Sequence, residues 1–213
     1  MKEFDYINAS ADELWDYCML EYNNSNFIVK KLINNFFNKI NEIVKTFGSD
    51  FNILEVGCGA GESTQRIHAI LKEDQRIQAS DIDERYIDKM KELNVPYKVS
   101  VESVYDLKRS DNEFDCVIML EVLEHLENID LALKELFRVS SKFVLISVPN
   151  EPIWSLLNLM RFKYIKNLGN TPGHINHWSP SKLRKLLSNY GRVINITTSL
   201  PWIISLTEIE NFT

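Results

Sequence analysis

Apolar residues recur at intervals of three and four through ADELWDYCMLEY (residues 11–22) and FIVKKLINNFFNKINEIVKTF (27–47), which predicts two helices with Gly48 as a stop. The pattern then changes. FNILEV is a short buried-type strand that runs into a glycine-rich loop, and ESTQRIHAILKE is a helix. RIQASD, PYKVSVES, FDCVIML and KFVLISVP read as further strands, with the helices ERYIDKMKEL and IDLALKELFRV between them. Strands alternating with helices of this length predict an α/β fold: a Rossmann-like, doubly wound, mostly parallel sheet. After Pro149 the rhythm breaks into an aromatic and basic insertion at 150–178. Ser179 and Pro180 then suit the cap and first position of a helix, RVINITTSL looks like a late strand, and PWIISLTEIENFT fits no element clearly.

A chain of 213 residues has the length of one domain and can bury a full core. Its 45% hydrophobic and 25% charged residues are those of an ordinary globular protein. A net charge of −6 and a pI near 5.3 count against a general nucleic-acid binder. The three scattered cysteines form neither a disulfide framework nor a zinc motif. The polar, acidic N-terminus lacks the apolar core of a signal peptide, and no apolar run is long enough to span a bilayer. A reduced cytoplasm is the expected compartment.

Candidate chemistry begins at LEVGCGAGEST, where Gly57, Gly59 and Gly61 lie between a strand and a helix. Such a loop allows positive φ and close approach of a ligand to the main chain. Glu62 stands one residue beyond the third glycine, which breaks the G-x-G-x-x-G dinucleotide fingerprint. Glu55 would disfavour a pyrophosphate but suit a ligand carrying an ammonium and a sulfonium. Asp81, ending the next strand, is placed to accept both ribose hydroxyls of an adenosine, and Ile82 to pack against its adenine. Taken singly, the glycines also suit a plain tight turn and Asp81 a helix cap.

EVGCGAG, followed by SDID, NEFDCVIMLEVLEHL and FVLISVPN, resembles the class I S-adenosylmethionine-dependent methyltransferases over residues 50–150. The resemblance implies that Glu55, Gly57, Cys58, Gly59 and Gly61 lie against the methionine part of the cofactor and Asp81 against its ribose. Ser103 and Val104 then flank the adenine, with Glu102-Ser103 replacing the usual Gly-Asp pair, and Leu120 and Glu121 lie beside the transferred methyl. It also implies an antiparallel hairpin at the sheet edge, for which the chain offers one clear strand. Cys58 reads as a small packing residue and His68 as solvated. The organisation expected is one domain over 1–213: an N-terminal helical cap (1–48), a cofactor-binding core (49–149), a lid insertion after strand five (150–178), and a C-terminal helix and strand (179–213).

MLEVLEHLEN places Glu121, Glu124 and His125 within one turn if it is helical. The E-x-x-E-H spacing resembles the metal-binding segment of ubiquinone-pathway O-methyltransferases and small-RNA 2′-O-methyltransferases, both linked to Mg²⁺. Glu121, Glu124 and His125 are therefore candidate Mg²⁺ ligands, with His174 and His177 of the insertion as further partners. The alternatives are a histidine base in the acceptor pocket, with Glu121, His125, His174 and His177 as catalytic candidates, or glutamates that cap the next helix. In the insertion, Trp154, Phe162, Tyr164 and Trp178 suit an aromatic wall, and Arg161, Lys163 and Lys166 an anion, unless they form a satellite core and a solvated face. Tyr22 and Asn26 of the opening helices are expected to close the other side of the pocket.

The expected activity is methyl transfer from S-adenosyl-L-methionine to a small-molecule acceptor, at oxygen. The rivals are a metal-assisted RNA 2′-O-methyltransferase, which the acidic charge disfavours, and a non-catalytic protein that binds the cofactor or S-adenosylhomocysteine.

Overall fold

A computed structural model of the chain describes residues 4–22, 26–160, 171 and 173–210. The expected aromatic and basic positions Arg161, Phe162, Lys163, Tyr164 and Lys166 lie outside the described residues, as does the side chain of Tyr22. Two helices open the chain, α1 (Ala11–Tyr22) and α2 (Phe27–Val44). The strands β1 (Asn52–Val56), β2 (Arg76–Asp81) and β3 (Lys98–Val101) follow, with α3 (Glu62–His68) and α4 (Glu84–Glu92) between them. Next come β4 (Phe114–Leu120), a 3₁₀ turn at Leu123–His125, α5 (Ile129–Val139), β5 (Ser140–Pro149) and α6 (Glu151–Met160). The chain closes with α7 (Pro180–Leu187), β6 (Arg192–Ser199) and β7 (Trp202–Glu208).

The seven strands form one sheet in the order β3-β2-β1-β4-β5-β7-β6. Its first five strands are parallel; β7 runs antiparallel to both β5 and β6. The consecutive apolar runs follow from cover on both faces. Leu54, Val117, Met119, Val144 and Ile146 enter one core with Leu133 and Leu136 of α5 and Leu183 of α7. Their neighbours Ile53, Cys116, Ile118 and Leu145 enter the other with Phe36, Phe37 and Ile40 of α2. Period-2 alternation therefore divides apolar residues between two cores instead of separating apolar from polar.

The C-terminal tail resolves the element the sequence left unplaced. WIISLTE is β7, a full strand inserted between β5 and β6, so the antiparallel hairpin is complete. Its central position buries Ile203, Ile204 and Leu206 on both faces and erases the alternation that marks a half-exposed strand. Side-chain caps start the helices: Asn26 for α2, Asp83 for α4, Asn128 for α5, and Ser179 for α7 with Pro180 at its first turn. Asn26 is thus engaged as a cap. At the other end of the sheet, Arg138 donates to the carbonyls of Arg109 (2.8 Å) and Leu107 (3.0 Å) and pairs with Glu135, tying α5 to the loop before β4. No described helix is long and apolar enough to cross a membrane.

Candidate active site

The strand order reverses direction between β1 and β4, and the carboxyl ends of those strands open a crevice there, where open α/β sheets take their ligands. Gly57, Gly59 and Gly61 all adopt positive φ (77°, 51° and 74°), the left-handed region that favours glycine. A Cβ on Gly57 would lie 2.5 Å from Val122 Cγ2, whereas one on Gly59 would meet nothing within 4 Å. Gly59 thus leaves the main chain open to a ligand. The Gly57 and Cys58 N–H groups donate to the Ser80 carbonyl at 2.8 and 3.0 Å, which ties the loop to the end of β2.

Asp81 completes that tie. Its Oδ2 accepts from Gly59 N–H at 2.8 Å and its Oδ1 from Asp83 N–H at 2.9 Å. Each carboxylate oxygen can accept twice, so one site remains on each for a pair of hydroxyls. Burial raises its pKa, opposed by these two backbone donors. Ile82 beside it is exposed, an apolar side chain free to cover a flat ring. Ser103 Oγ accepts from Tyr105 N–H, and the Val104 side chain is buried in the core that holds α5. Glu102 is paired with Arg109, with N–O contacts of 2.7 and 3.2 Å.

Glu55 is engaged from within the chain. Its two oxygens accept from Ser63 and Thr64 at the start of α3, and its side chain is buried. Burial pushes its pKa up to about 7, against the pull of those two hydroxyls. Cys58 is buried, and burial with the nearby Glu55 and Asp81 charges pushes its thiol well above the ordinary value, so it packs and does not attack. Leu120 and Glu121 line the same cleft as Gly57 and Gly59.

Glu121 is the first residue beyond β4 and has φ 57°, a left-handed conformation uncommon outside glycine. Its N–H donates to the Ser147 carbonyl at 3.2 Å, and its Oε1 accepts from Ser147 Oγ at 2.7 Å. Burial pushes its pKa up to about 8, with Ser147 and Trp202 opposing and Glu151 adding to the rise. The sharp turn sends the chain into the 3₁₀ turn that carries Glu124 and His125. Glu124 is 1% exposed, and among the described residues its Oε2 has no hydrogen-bond partner. Burial first, and then the Glu121 charge, drives its pKa well upward.

The histidines of the insertion separate. His174 is buried against the 3₁₀ turn, its ring 5.0 Å from that of His125, and its Nδ1 lies 2.7 Å from Glu151 Oε1. His177 is exposed and lies 3.6 Å from the other Glu151 oxygen. Ligand atoms from Glu124, His125 and His174 all fall within 4.8 Å of one another, whereas Glu121 and His177 stand outside that group. His125 Nδ1 lies 2.9 Å from the Gly173 carbonyl, and burial lowers its pKa. A carbonyl only accepts, so Nδ1 carries the proton and Nε2 keeps its lone pair, 3.9 Å from Glu124 Oε1. The backbone N–H groups of Ile175 and Asn176 donate to the Glu124 carbonyl, and the Asn176 amide donates to Leu126 O at 2.7 Å. Of the expected aromatic wall, Trp154 flanks His174 while Trp178 joins the core.

Glu151, Ser147 and Asn176 escaped sequence reasoning. Glu151 carried one signal: an acid just beyond the carboxyl end of β5, the neighbour of the strand that ends at Leu120.

A family model described as a methyltransferase domain matches residues 28–194. A ubiquinone biosynthesis O-methyltransferase of Rickettsia bellii is 28% identical over 204 residues, covering 87% of this chain and 78% of that protein. The solved structure of magnesium protoporphyrin IX methyltransferase from Synechocystis, with bound S-adenosylhomocysteine, matches with a TM-score of 0.68 at 18% identity over 97% of each chain. That of a SAM-dependent methyltransferase from Aquifex aeolicus matches with a TM-score of 0.60 at 19% identity, over 79% of this chain and 88% of that one. With its sheet order, its glycine loop and its strand-end acid, the chain belongs to the class I S-adenosylmethionine-dependent methyltransferases.

Proposed function

We propose that this enzyme methylates an oxygen of a small-molecule acceptor with the help of a divalent cation, Mg²⁺ or Mn²⁺, held by Glu124, His125 and His174, with Glu121 beside the transferred methyl. The observation that carries this is the Glu124 carboxylate: buried, with an orphaned oxygen, and grouped with two imidazoles. A bare buried carboxylate is costly, and a cation removes the cost. Carboxylate with imidazole suits Mn²⁺ and, with water completing the shell, Mg²⁺. The name of the Rickettsia bellii relative supports an oxygen acceptor.

Bound S-adenosylmethionine supplies an electrophilic methyl group, and a divalent cation supplies charge that favours ionisation of an acceptor hydroxyl. The remaining work falls to the chain. Asp81 holds the ribose through its two spare acceptor sites, the open face of Gly59 admits the methionine part, and Ile82 covers the adenine, with the Ser103–Val104 segment at its edge. Leu120, which ends β4, and Glu121, just beyond it, line the lip of the same cleft, where donor and acceptor would align for in-line displacement. His125 stays neutral near pH 7, because burial lowers its pKa, and so offers a lone pair at Nε2.

The test is Mn²⁺ titration of the purified enzyme, followed by methyl transfer to a panel of phenols with and without EDTA. The proposal expects one Mn²⁺ site lost in Glu124→Gln and activity abolished by EDTA. Full activity in EDTA would refute it.

A further inference from the structure

The geometry points to Glu151 as the positioning residue that holds His174 through Nδ1 and fixes the proton there, which makes Nε2 the nitrogen available to join Glu124 and His125. This rests on the cation assignment above and extends it to a residue that does not itself join the ligand group.

Three observations converge. First, Glu151 and His174 are both buried, and the 2.7 Å contact between Glu151 Oε1 and His174 Nδ1 joins an acceptor-only carboxylate to the ring. A proton therefore sits on Nδ1, and in the neutral ring the lone pair is then on Nε2. Second, His125 is held in the same way by a different partner, the Gly173 carbonyl at Nδ1, which leaves its Nε2 with the lone pair 3.9 Å from Glu124 Oε1. Third, the loop bearing His174 is held independently: Ile175 and Asn176 N–H groups grip the Glu124 carbonyl at 3.0 and 3.1 Å, and the Asn176 amide grips Leu126. Backbone contacts thus set where His174 is. Glu151 sets which nitrogen carries the proton.

Glu151 is itself restrained. Its N–H donates to the Trp178 carbonyl at 3.2 Å, and its second oxygen accepts from Ser155 Oγ at 3.3 Å. A carboxylate behind a ligating imidazole raises the basicity of the ligand nitrogen as well as orienting the ring, and losing such a partner costs about tenfold to hundredfold in metal affinity.

The test uses the full chain with two readouts. Two-bond ¹H–¹⁵N spectra of the metal-free protein report the tautomer of each histidine, and Mn²⁺ titration followed by electron paramagnetic resonance reports affinity. Wild type is expected to show His174 protonated at Nδ1. E151Q, which keeps volume but loses the charge, is expected to shift His174 toward the Nε2–H form and weaken Mn²⁺ by about tenfold to hundredfold. An Nε2–H tautomer for His174 in wild type overturns the inference without any variant being made. Mn²⁺ bound equally well by wild type and E151Q overturns the inference and leaves the cation assignment standing. A wild type that binds no Mn²⁺ overturns both.

Discussion

Replacing Gly57 by alanine sets a methyl group 2.5 Å from Val122 Cγ2, on a residue held at φ 77°. Two separable costs follow. An L-residue in the left-handed region costs roughly 1–2 kcal/mol. Forcing a methyl into contact at 2.5 Å, where carbon atoms prefer roughly 3.5–4.0 Å, costs an overpacking penalty of about 1–3 kcal/mol. Reduced freedom of the unfolded chain returns roughly 0.4–1 kcal/mol. The net expectation is a loss of about 2–4 kcal/mol, read as a fall of roughly 1–2 M in the urea midpoint. Val122→Ala removes the clashing methyl groups, so the double variant should recover the packing part and keep the backbone part. A coupling energy of about 1–3 kcal/mol is therefore expected from the double-mutant cycle. Gly57→Ala as stable as wild type, or strictly additive with Val122→Ala, would refute the packing of the loop against the segment after β4.

Glu55 has a pKa of about 7 against an ordinary 4.5, so between those values the folded protein holds a proton that the unfolded chain releases. Wild type should thus lose stability relative to Glu55→Gln as pH rises from 4.5 to 7, by up to about 3 kcal/mol, and level off above; chemical denaturation at several pH values checks this, and a gap that is flat or of opposite slope contradicts it. Arg138→Lys cannot reproduce a fork that serves two carbonyls and a carboxylate, and should cost about 1–3 kcal/mol in urea unfolding. His174→Ala should abolish Mn²⁺ binding while His177→Ala leaves it within about twofold, since only the former joins the ligand group; equal effects would dissolve that distinction.

The parallel half of the fold was legible because each strand pairs a buried run with a punctuating loop, and because glycine loop, strand and acid recur in a spacing that carries chemistry. β7 was hidden: a central strand buried on both faces has no alternation, and WIISLTE looks like any apolar run. Glu55 shows the limit for single side chains. Its place before the loop was plain, but its engagement by Ser63 and Thr64 depends on how α3 begins, which no spacing within the strand reports. The E-x-x-E-H segment set Glu121, Glu124 and His125 on one side only if it formed a helical turn. The chain instead bends at Glu121 into a 3₁₀ turn, which leaves Glu121 with Ser147 and outside the cluster. That His174 and not His177 lies beside Glu124 and His125 follows from the long-range contact of 173–176 with the turn, a pairing across about fifty residues that local pattern cannot encode.

The most direct measurement is calorimetric titration of S-adenosylhomocysteine into wild type and Asp81→Ala, with circular dichroism confirming that the variant is folded. Asp81 is assigned both the tie to Gly59 and the ribose hydroxyls, and hydrogen bonds to a charged group contribute about 1.5–3 kcal/mol each. The account predicts clear binding by wild type and an affinity at least roughly tenfold weaker in the variant. Equal affinity in the two proteins would contradict the placement of the cofactor at the loop after β1 and the acid that ends β2.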